Sequence, residues 1–175
     1  MDSYWFLDTL VRVHVRGEDT GGRYGLVECL EPAGHQPPPH VHHDDDEGFF
    51  VIEGEITVYA GEDETVLGPG DGLNAPRGVP HTIRVTSPEP ARVLVTSAPA
   101  RFDAFVRELG EPAARDELPV PDGPPDVERL VATAARHGIE ILGPPGVLPA
   151  QLAPAVLATD GDGAARDAVR ASRGR

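Results

Sequence analysis

Short segments rich in Val, Ile, Thr and aromatic residues recur through the first hundred residues, and Gly and Pro separate them. In the first segment Val11, Val13 and Val15 alternate with polar residues, which predicts a strand with one apolar and one polar face. The predicted polar face consists of Arg12, His14 and Arg16. Further strands are predicted at Tyr24–Leu30, Gly48–Ile52, Ile56–Ala60, Glu64–Leu67, Gly72–Ala75, His81–Val85 and Arg92–Thr96. Short strands separated by turn residues are typical of an all-β sandwich or a small closed barrel.

The periodicity changes after Pro99, where apolar residues begin to recur at helical spacing. The residues on this face are Phe102, Phe105, Val106 and Leu109, and Gly110 follows them as a stop signal. A second helix is predicted from Asp126 to His137, opened by two prolines and closed by Gly138. We expect both helices to pack on the barrel, where the aromatic face of the first belongs either to the core or to a closed barrel mouth.

These patterns divide the chain into a barrel over residues 1–100, a helical extension over 101–142 and a tail over 143–175. The tail is rich in Pro, Ala and Gly, and we expect it to be mobile. A length of 175 residues suits one domain with one core. Cys29 is the one cysteine of the sequence, which excludes an intramolecular disulfide, and we expect a buried thiol.

Charge and hydropathy exclude two classes of partner. A formal net charge of -14 argues against binding to a nucleic-acid backbone, which requires a face rich in Lys and Arg. The apolar runs are too short to cross a bilayer, so no membrane partner is expected. The N-terminal segment lacks the features of a secretory signal peptide, and a cytoplasmic location is therefore the expectation.

The candidate chemistry lies between Gly34 and Gly54. His40 and His42 are two residues apart, so on a strand both imidazoles point to the same face. Glu47 opens the next strand and reaches the same point if its face looks inward, and His81 would arrive from a neighbouring strand. Three imidazoles and one carboxylate suit a divalent Fe, Mn, Co, Ni, Cu or Zn ion, with positions left open for water or substrate. Alternate residues on the same inward faces would supply apolar pocket walls: Phe49, Val51 and Ile83.

These two segments resemble the paired signatures of the cupin superfamily. The first signature is matched at Gly34, His40, His42, Glu47 and Gly54, and the second at Gly70, Pro76, Gly78 and His81. The second signature ends on Asn in the family, whereas Val85 stands there in this chain. That Asn is not a metal ligand in the family, so the departure leaves the predicted ligand set unchanged. The wider chain is also similar to single-barrel actinobacterial cupins of the quercetin dioxygenase-like type.

The resemblance implies a small double-stranded β-helix, or jelly roll, with one divalent transition metal and the C-terminal helices packed on it. It also implies a homodimer. In flavonol dioxygenases of this family the glutamate both ligates the ion and takes a proton from the substrate hydroxyl, so the resemblance assigns a catalytic role to Glu47.

Three functions are compatible with these residues. The first is a quercetinase-like, metal-dependent dioxygenase that acts with O2 on a small aromatic or enolisable substrate. The second is a non-oxidative cupin, such as an isomerase, a decarboxylase or a polyketide cyclase, in which the ion serves as a Lewis acid. The third is a cupin that binds a small molecule without catalysis.

Other polar residues of the sequence are assigned to solvent. His43 is out of phase with His42 and is expected to point away from the ion. The run Asp44-Asp45-Asp46 is interpreted as a solvated loop. Surface or edge positions are expected for His14, His35 and His137.

Overall fold

The computed structural model describes residues 2–152 and the backbone of residues 170–172. The strands are β1 Asp2–Phe6, β2 Thr9–Val15, β3 Gly25–Glu31, β4 His40–His42, β5 Asp46–Glu53, β6 Ile56–Ala60, β7 Asp63–Leu67, β8 Gly72–Ala75, β9 His81–Val85, β10 Ala91–Ala98, β11 Glu111–Pro112, β12 Ile139–Ile141 and β13 Arg170–Ser172. The helices are α1 Phe102–Leu109 and α2 Val127–Arg136, with short 3-10 turns at Gly17–Thr20 and Pro149–Gln151. Among the described helices, none has the length and apolar character that crossing a membrane requires.

Two antiparallel sheets face each other across the core. The larger sheet has the order β11-β1-β2-β3-β10-β5-β8-β13, and the smaller has the order β12-β4-β9-β6-β7. The alternating residues of each strand send one set of side chains between the sheets, where they are buried. This is the predicted all-β jelly roll with C-terminal helices, and the eight predicted strands are confirmed with small shifts of their ends.

The centre of the core lies along β10, which pairs with β3 on one side and β5 on the other. Val93 lies opposite Cys29 and Val51, and Val95 lies opposite Val27 and Phe49. These inward side chains are all less than a tenth exposed. The Cys29 thiol is buried, as predicted.

The helices cover one opening of the barrel. Phe105 of α1 packs edge-on against Phe6 of β1, with ring centroids 5.2 Å apart. Helix α2 begins after Asp126, whose side chain accepts a hydrogen bond from the backbone N of Arg129 at 2.9 Å. Glu108 of α1 joins the two helices by accepting hydrogen bonds from Arg136 and His137 of the α2 end. Both predicted helices are therefore confirmed, and Asp126 and His137 serve as the flanking caps of the second.

The sequence pattern missed four strands: β1, β11, β12 and β13. β1 and β11 pair at the edge of the larger sheet, and β12 pairs with β4 so that Ile139 lies opposite His42. β11, β12 and β13 have only two or three residues, which carry too little periodicity to indicate a strand. β1 has five residues and also pairs with β2, its neighbour along the chain. The helical extension thus contributes one strand to each sheet. The boundaries of this extension stay a prediction. In the predicted tail, residues 153–169 and 173–175 lie outside the described residues.

The polar face of β2 is not open to solvent at Arg12. Its side chain is buried and donates hydrogen bonds to Glu28 at 2.7 Å and to Asp116 at 2.8 Å. The segment after β11 lies across this outer face of the sheet, where Trp5 donates its indole N–H to the carbonyl of Glu117. The two carboxylates compensate the buried guanidinium charge, and His14 on the same face remains exposed.

We predict that Leu67→Ala lowers the free energy of unfolding by about 2–5 kcal/mol, because it leaves a cavity in the core. Leu67 is 1% exposed, whereas its strand neighbour Val66 is 51% exposed. The control Val66→Ala should therefore change the free energy of unfolding by no more than about 0.5 kcal/mol. Urea denaturation of both variants checks this, and equal losses would contradict the burial pattern of β7.

Candidate metal centre

The four predicted ligands meet between the two sheets. His40 and His42 lie on β4, and His81 lies directly opposite His40 on β9 of the same sheet. Glu47 comes from β5 of the facing sheet. One potential ligand atom from each of the four residues lies within 4.8 Å of the other three. Strand alternation explains the two histidines of β4, and the stacking of the sheets brings Glu47 to them.

The distances inside the cluster suit a shared ion. Oε2 of Glu47 lies 2.9 Å from Nε2 of His81 and 3.7 Å from Nε2 of His42. Two ligand atoms that bind one ion at about 2.1 Å and at a right angle lie about 3 Å apart. His42, Glu47 and His81 are each 3% exposed or less.

Hydrogen bonds outside the cluster orient the three imidazoles. Nδ1 of His40 donates to the carbonyl of Pro38 at 2.9 Å, and Nδ1 of His81 donates to the carbonyl of Val79 at 3.0 Å. Because a carbonyl oxygen only accepts, the proton resides on Nδ1 and Nε2 is directed inward. Acceptors behind the imidazoles in this way are typical of metal-ligating histidines.

An orphaned nitrogen atom supports the fit of a metal ion. Nε2 of His42 is buried, and within the described part of the chain it has no hydrogen-bond partner. A buried polar atom without a partner is costly in a folded protein. A metal ion at the cluster would remove that cost, so the donor set and the environment both fit a divalent transition metal.

The ionisation of His40 and of Glu47 is also appropriate to ligation. Burial lowers the pKa of His40 to about 3, and the neighbouring His81 and His42 add to this, which leaves a neutral imidazole. Burial by itself would raise the pKa of Glu47, but the three histidines lower it to about 2 and keep the carboxylate ionised. Neutral imidazole and ionised carboxylate are the forms that bind metal ions.

The acidic run Asp44-Asp45-Asp46 was predicted to be a solvated loop, and this is wrong for its middle residue, Asp45. Asp45 is fully buried, and its Oδ2 accepts a hydrogen bond of 2.9 Å from Nδ1 of His42. Its neighbours point outward, Asp44 to Arg101 and Asp46 to Arg77. The sequence contained one indication of this role: Asp45 follows the candidate ligand His42 by three residues, so a tight turn can bring its carboxylate back to the imidazole. His43 points away from the cluster to Glu140, as predicted.

A largely apolar cavity of about 90 Å³ adjoins the cluster. Phe49 and Ile83, two of the predicted wall residues, line it, and so do the cluster residues themselves. Val51, the third predicted wall residue, does not line the cavity. It lies two residues beyond Phe49 on β5, opposite Val93 in the packed core. Phe102 and Phe105 of α1 also line the cavity, so the aromatic face of this helix closes the barrel opening as well as packing in the core.

Besides the Cys29 thiol, two further ionisable residues line the cavity, Glu31 and His35, and the sequence patterns assigned neither to it. Glu31 is the last residue of β3 and lies on the same inward face as Val27 and Cys29, so strand alternation could have placed it at the cavity. His35 was expected at the surface, but its side chain is only 9% exposed. The loop after β3 is tied to β9 by backbone hydrogen bonds between Val85 and both Gly34 and His35, which turns the His35 ring inward.

Glu31 is an acid in an apolar setting. Burial raises its pKa to about 7, the positive charge of His35 acts in the opposite direction, and Asp8 and Glu47 add to the increase. Oε2 of Glu31 is buried and has no hydrogen-bond partner in the described part of the chain. Near neutral pH the protonated and ionised forms of Glu31 are therefore both populated.

We predict that Glu31 makes the stability of the protein depend on pH. Its pKa in the folded chain is about 7 against an ordinary value of 4.5, so the folded state holds the proton more tightly. The free energy of unfolding should therefore fall as the pH rises from about 4.5 to about 7, by on the order of 3 kcal/mol.

Glu31→Gln should lack this part of the pH dependence, whereas Glu64→Gln, at an exposed position of β7, should retain it. Urea denaturation between these pH values measures the difference. Parallel pH profiles for wild type and Glu31→Gln would contradict the raised pKa.

Comparisons with known proteins agree with this architecture and site. The family model "Cupin domain" matches residues 26–97. Quercetin 2,3-dioxygenase of Bacillus subtilis is 30% identical over 105 residues, which are 60% of this chain but only 31% of that enzyme. The chain thus spans about a third of the length of this curated relative.

Solved structures support the fold alone. The structure of KdgF from Halomonas sp. superposes with a TM-score of 0.50 at 20% identity, over 58% of this chain and 89% of the other. The cupin domain of Schizosaccharomyces pombe Cnp3 gives a TM-score of 0.50 at 17% identity, over 63% and 77%. The paired motifs, the two facing sheets and these matches agree: the chain is similar to cupins over residues 26–97 and has their fold, and it is similar to the Bacillus quercetin dioxygenase over 105 residues.

Proposed function

We propose that the protein is a metal-dependent oxygenase that acts on a small aromatic or enolisable molecule, with flavonols as the first substrates to test. One observation carries the proposal: one potential ligand atom from each of three imidazoles and from the Glu47 carboxylate lie within 4.8 Å of one another at the wall of a largely apolar cavity. The similarity to the Bacillus quercetin dioxygenase supports the use of O2.

In this proposal His40, His42, Glu47 and His81 hold one divalent ion. The ion, when bound, would supply Lewis-acid chemistry and, if redox-active, electron transfer to O2. Its identity among Fe, Mn, Co, Ni, Cu and Zn depends on cellular supply as well as on affinity.

The chain itself positions the substrate and accepts a proton. Glu47 is ionised, faces the cavity and is the proposed acceptor for a proton from the substrate hydroxyl. Phe49 and Ile83 form apolar walls that exclude water from the reacting centre. Asp45 acts through His42, because its hydrogen bond fixes the tautomer and orientation of that ring. The homodimer and the cytoplasmic location stay predictions.

The oxygenase proposal is tested by loading the purified protein with each candidate metal and measuring oxygen uptake with quercetin and 3-hydroxyflavone. We expect one bound ion per chain, and removal of the ion by a chelator should abolish oxygen uptake. His42→Ala should lower metal affinity by more than about 100-fold, because it removes a direct ligand. His43→Ala is the matched control, since the neighbouring imidazole points away to Glu140.

Two results would contradict this proposal. Oxygen uptake that His42→Ala leaves unchanged would separate the activity from the cluster. Turnover of an enolisable substrate without O2, in the zinc-loaded protein, would instead assign a non-oxidative cupin reaction.

Asp45→Asn should lower metal affinity by about 10- to 100-fold, because the His42 ring loses its ionised acceptor. Asp44→Asn is the control, since Asp44 is exposed and pairs with Arg101. Competition with a chromogenic chelator measures both affinities. Equal affinities for the two variants would show that Asp45 does not orient the ligand.

A further inference from the structure

The cavity has a second polar group, separate from the four clustered residues. The inward face of β3 presents Val27, Cys29 and Glu31 in succession, and the last two line the cavity. Glu31 is 5% exposed, so its carboxyl group is enclosed by the protein rather than solvated. It is reached from the cavity because it forms part of the wall.

One oxygen of this carboxyl is left unsatisfied by the described chain. This oxygen, Oε2, has no hydrogen-bond partner among the described residues. The nearest strand partner on β10 is Ala91, which offers no polar side chain. The hydroxyl of Thr9, which also lines the cavity, is donated to the carbonyl of Phe6 at 2.7 Å. A buried carboxyl without a donor is a cost that an incoming donor would remove.

A histidine–aspartate pair stands beside Glu31 at this part of the cavity. Nδ1 of His35 lies 2.9 Å and 3.1 Å from the two carboxylate oxygens of Asp8. Burial opposes the protonation of His35, but the hydrogen bond that His35 donates to Asp8 and the charge of Glu31 outweigh it and raise the pKa of His35. A positive charge on His35 disfavours a cationic ligand next to Glu31.

The charges around Glu31 restrict the ligand further. Glu31 and Glu47 both line the cavity, and the charge of Glu47 acts on Glu31. An anionic ligand group would be repelled by both carboxylates, and the rest of the wall is mostly apolar. An uncharged molecule with a hydroxyl group meets these conditions, since its O–H donates to Glu31 and its apolar part contacts the walls.

We propose that Glu31 forms a hydroxyl-binding subsite in the cavity, at which the O–H of an uncharged aromatic molecule donates a hydrogen bond to the Glu31 carboxylate. The subsite adds a substrate-binding residue to the proposed function. It rests on the proposed function in one respect, namely that this cavity is the substrate site. His35 and Asp8 are positioning residues, because they act through Glu31. The titratable groups that face or act on Glu31 are Asp8, Cys29, His35 and Glu47.

The experiment compares two probes of similar size that differ in one substituent: phenol carries a hydroxyl group where toluene carries a methyl group. Titration calorimetry on the purified full chain should show that phenol binds about tenfold more tightly than toluene, as a hydrogen bond to a charged acceptor predicts. Glu31→Leu should abolish the preference and bind toluene at least as tightly as wild type. Glu64→Leu, at an exposed strand position, is the control and should retain the preference.

The near-isosteric Glu31→Gln provides a second readout if Glu31→Leu does not fold. In wild type the preference for phenol should increase several-fold between pH 6 and pH 8, because the ionised carboxylate is the stronger acceptor. In Glu31→Gln the preference should be independent of pH over this range. A preference that survives in Glu31→Leu, an unchanged pH profile in Glu31→Gln, or no phenol preference in wild type would each overturn the subsite.

Metal content and oxygen uptake with quercetin, measured on the same variants, separate this inference from the proposed function. Loss of the phenol preference in Glu31→Leu with no oxygen uptake by wild type supports the subsite and contradicts the oxygenase. Oxygen uptake by wild type together with an unchanged phenol preference in Glu31→Leu contradicts the subsite and leaves the oxygenase standing.

Discussion

The contact between Glu47 and His81 across the two sheets is the interaction on which the site depends. A carboxylate from the larger sheet and three imidazoles from the smaller sheet are buried together, and no Lys or Arg of the described chain pairs with Glu47. A buried carboxylate without a charged partner would be strongly unfavourable. The stacking of the sheets and the ionisation of Glu47 therefore support each other, because the histidines that lower the pKa of Glu47 lie on the facing sheet.

Rigidity of the cluster comes from groups behind the ligands. Backbone carbonyls of Pro38 and Val79 and the carboxylate of Asp45 each accept from one imidazole Nδ1. The two carbonyls belong to the residues that precede β4 and β9, so the turns that deliver the strands also orient the rings. This arrangement leaves the three Nε2 atoms facing the interior before any ligand binds, which reduces the cost of ordering them.

The cavity joins this cluster to the C-terminal extension. Strand β12 extends the smaller sheet beside β4, and its Ile139 and Ile141 line the cavity together with Phe102 and Phe105 of α1. The extension thus places apolar side chains around the space next to the cluster. Within that apolar space the loop after β3 adds His35, and the end of β3 adds Glu31, which gives the cavity a polar group away from the cluster.

The sequence by itself determined the strands with clear alternation, both helices and the four clustered residues. Period-two spacing places His40 with His42, and local capping residues bound α2, so these features need few distant contacts. Tertiary structure alone decided the burial of Arg12 and Asp45, the inward turn of His35 and the strands β1, β11 and β12. Each of these depends on a partner far along the chain or on a tight reversal, such as Asp116 for Arg12 and β4 for β12. Val51 illustrates the same limit, because alternation indicates which face a residue occupies but not whether that level of the barrel is packed or open.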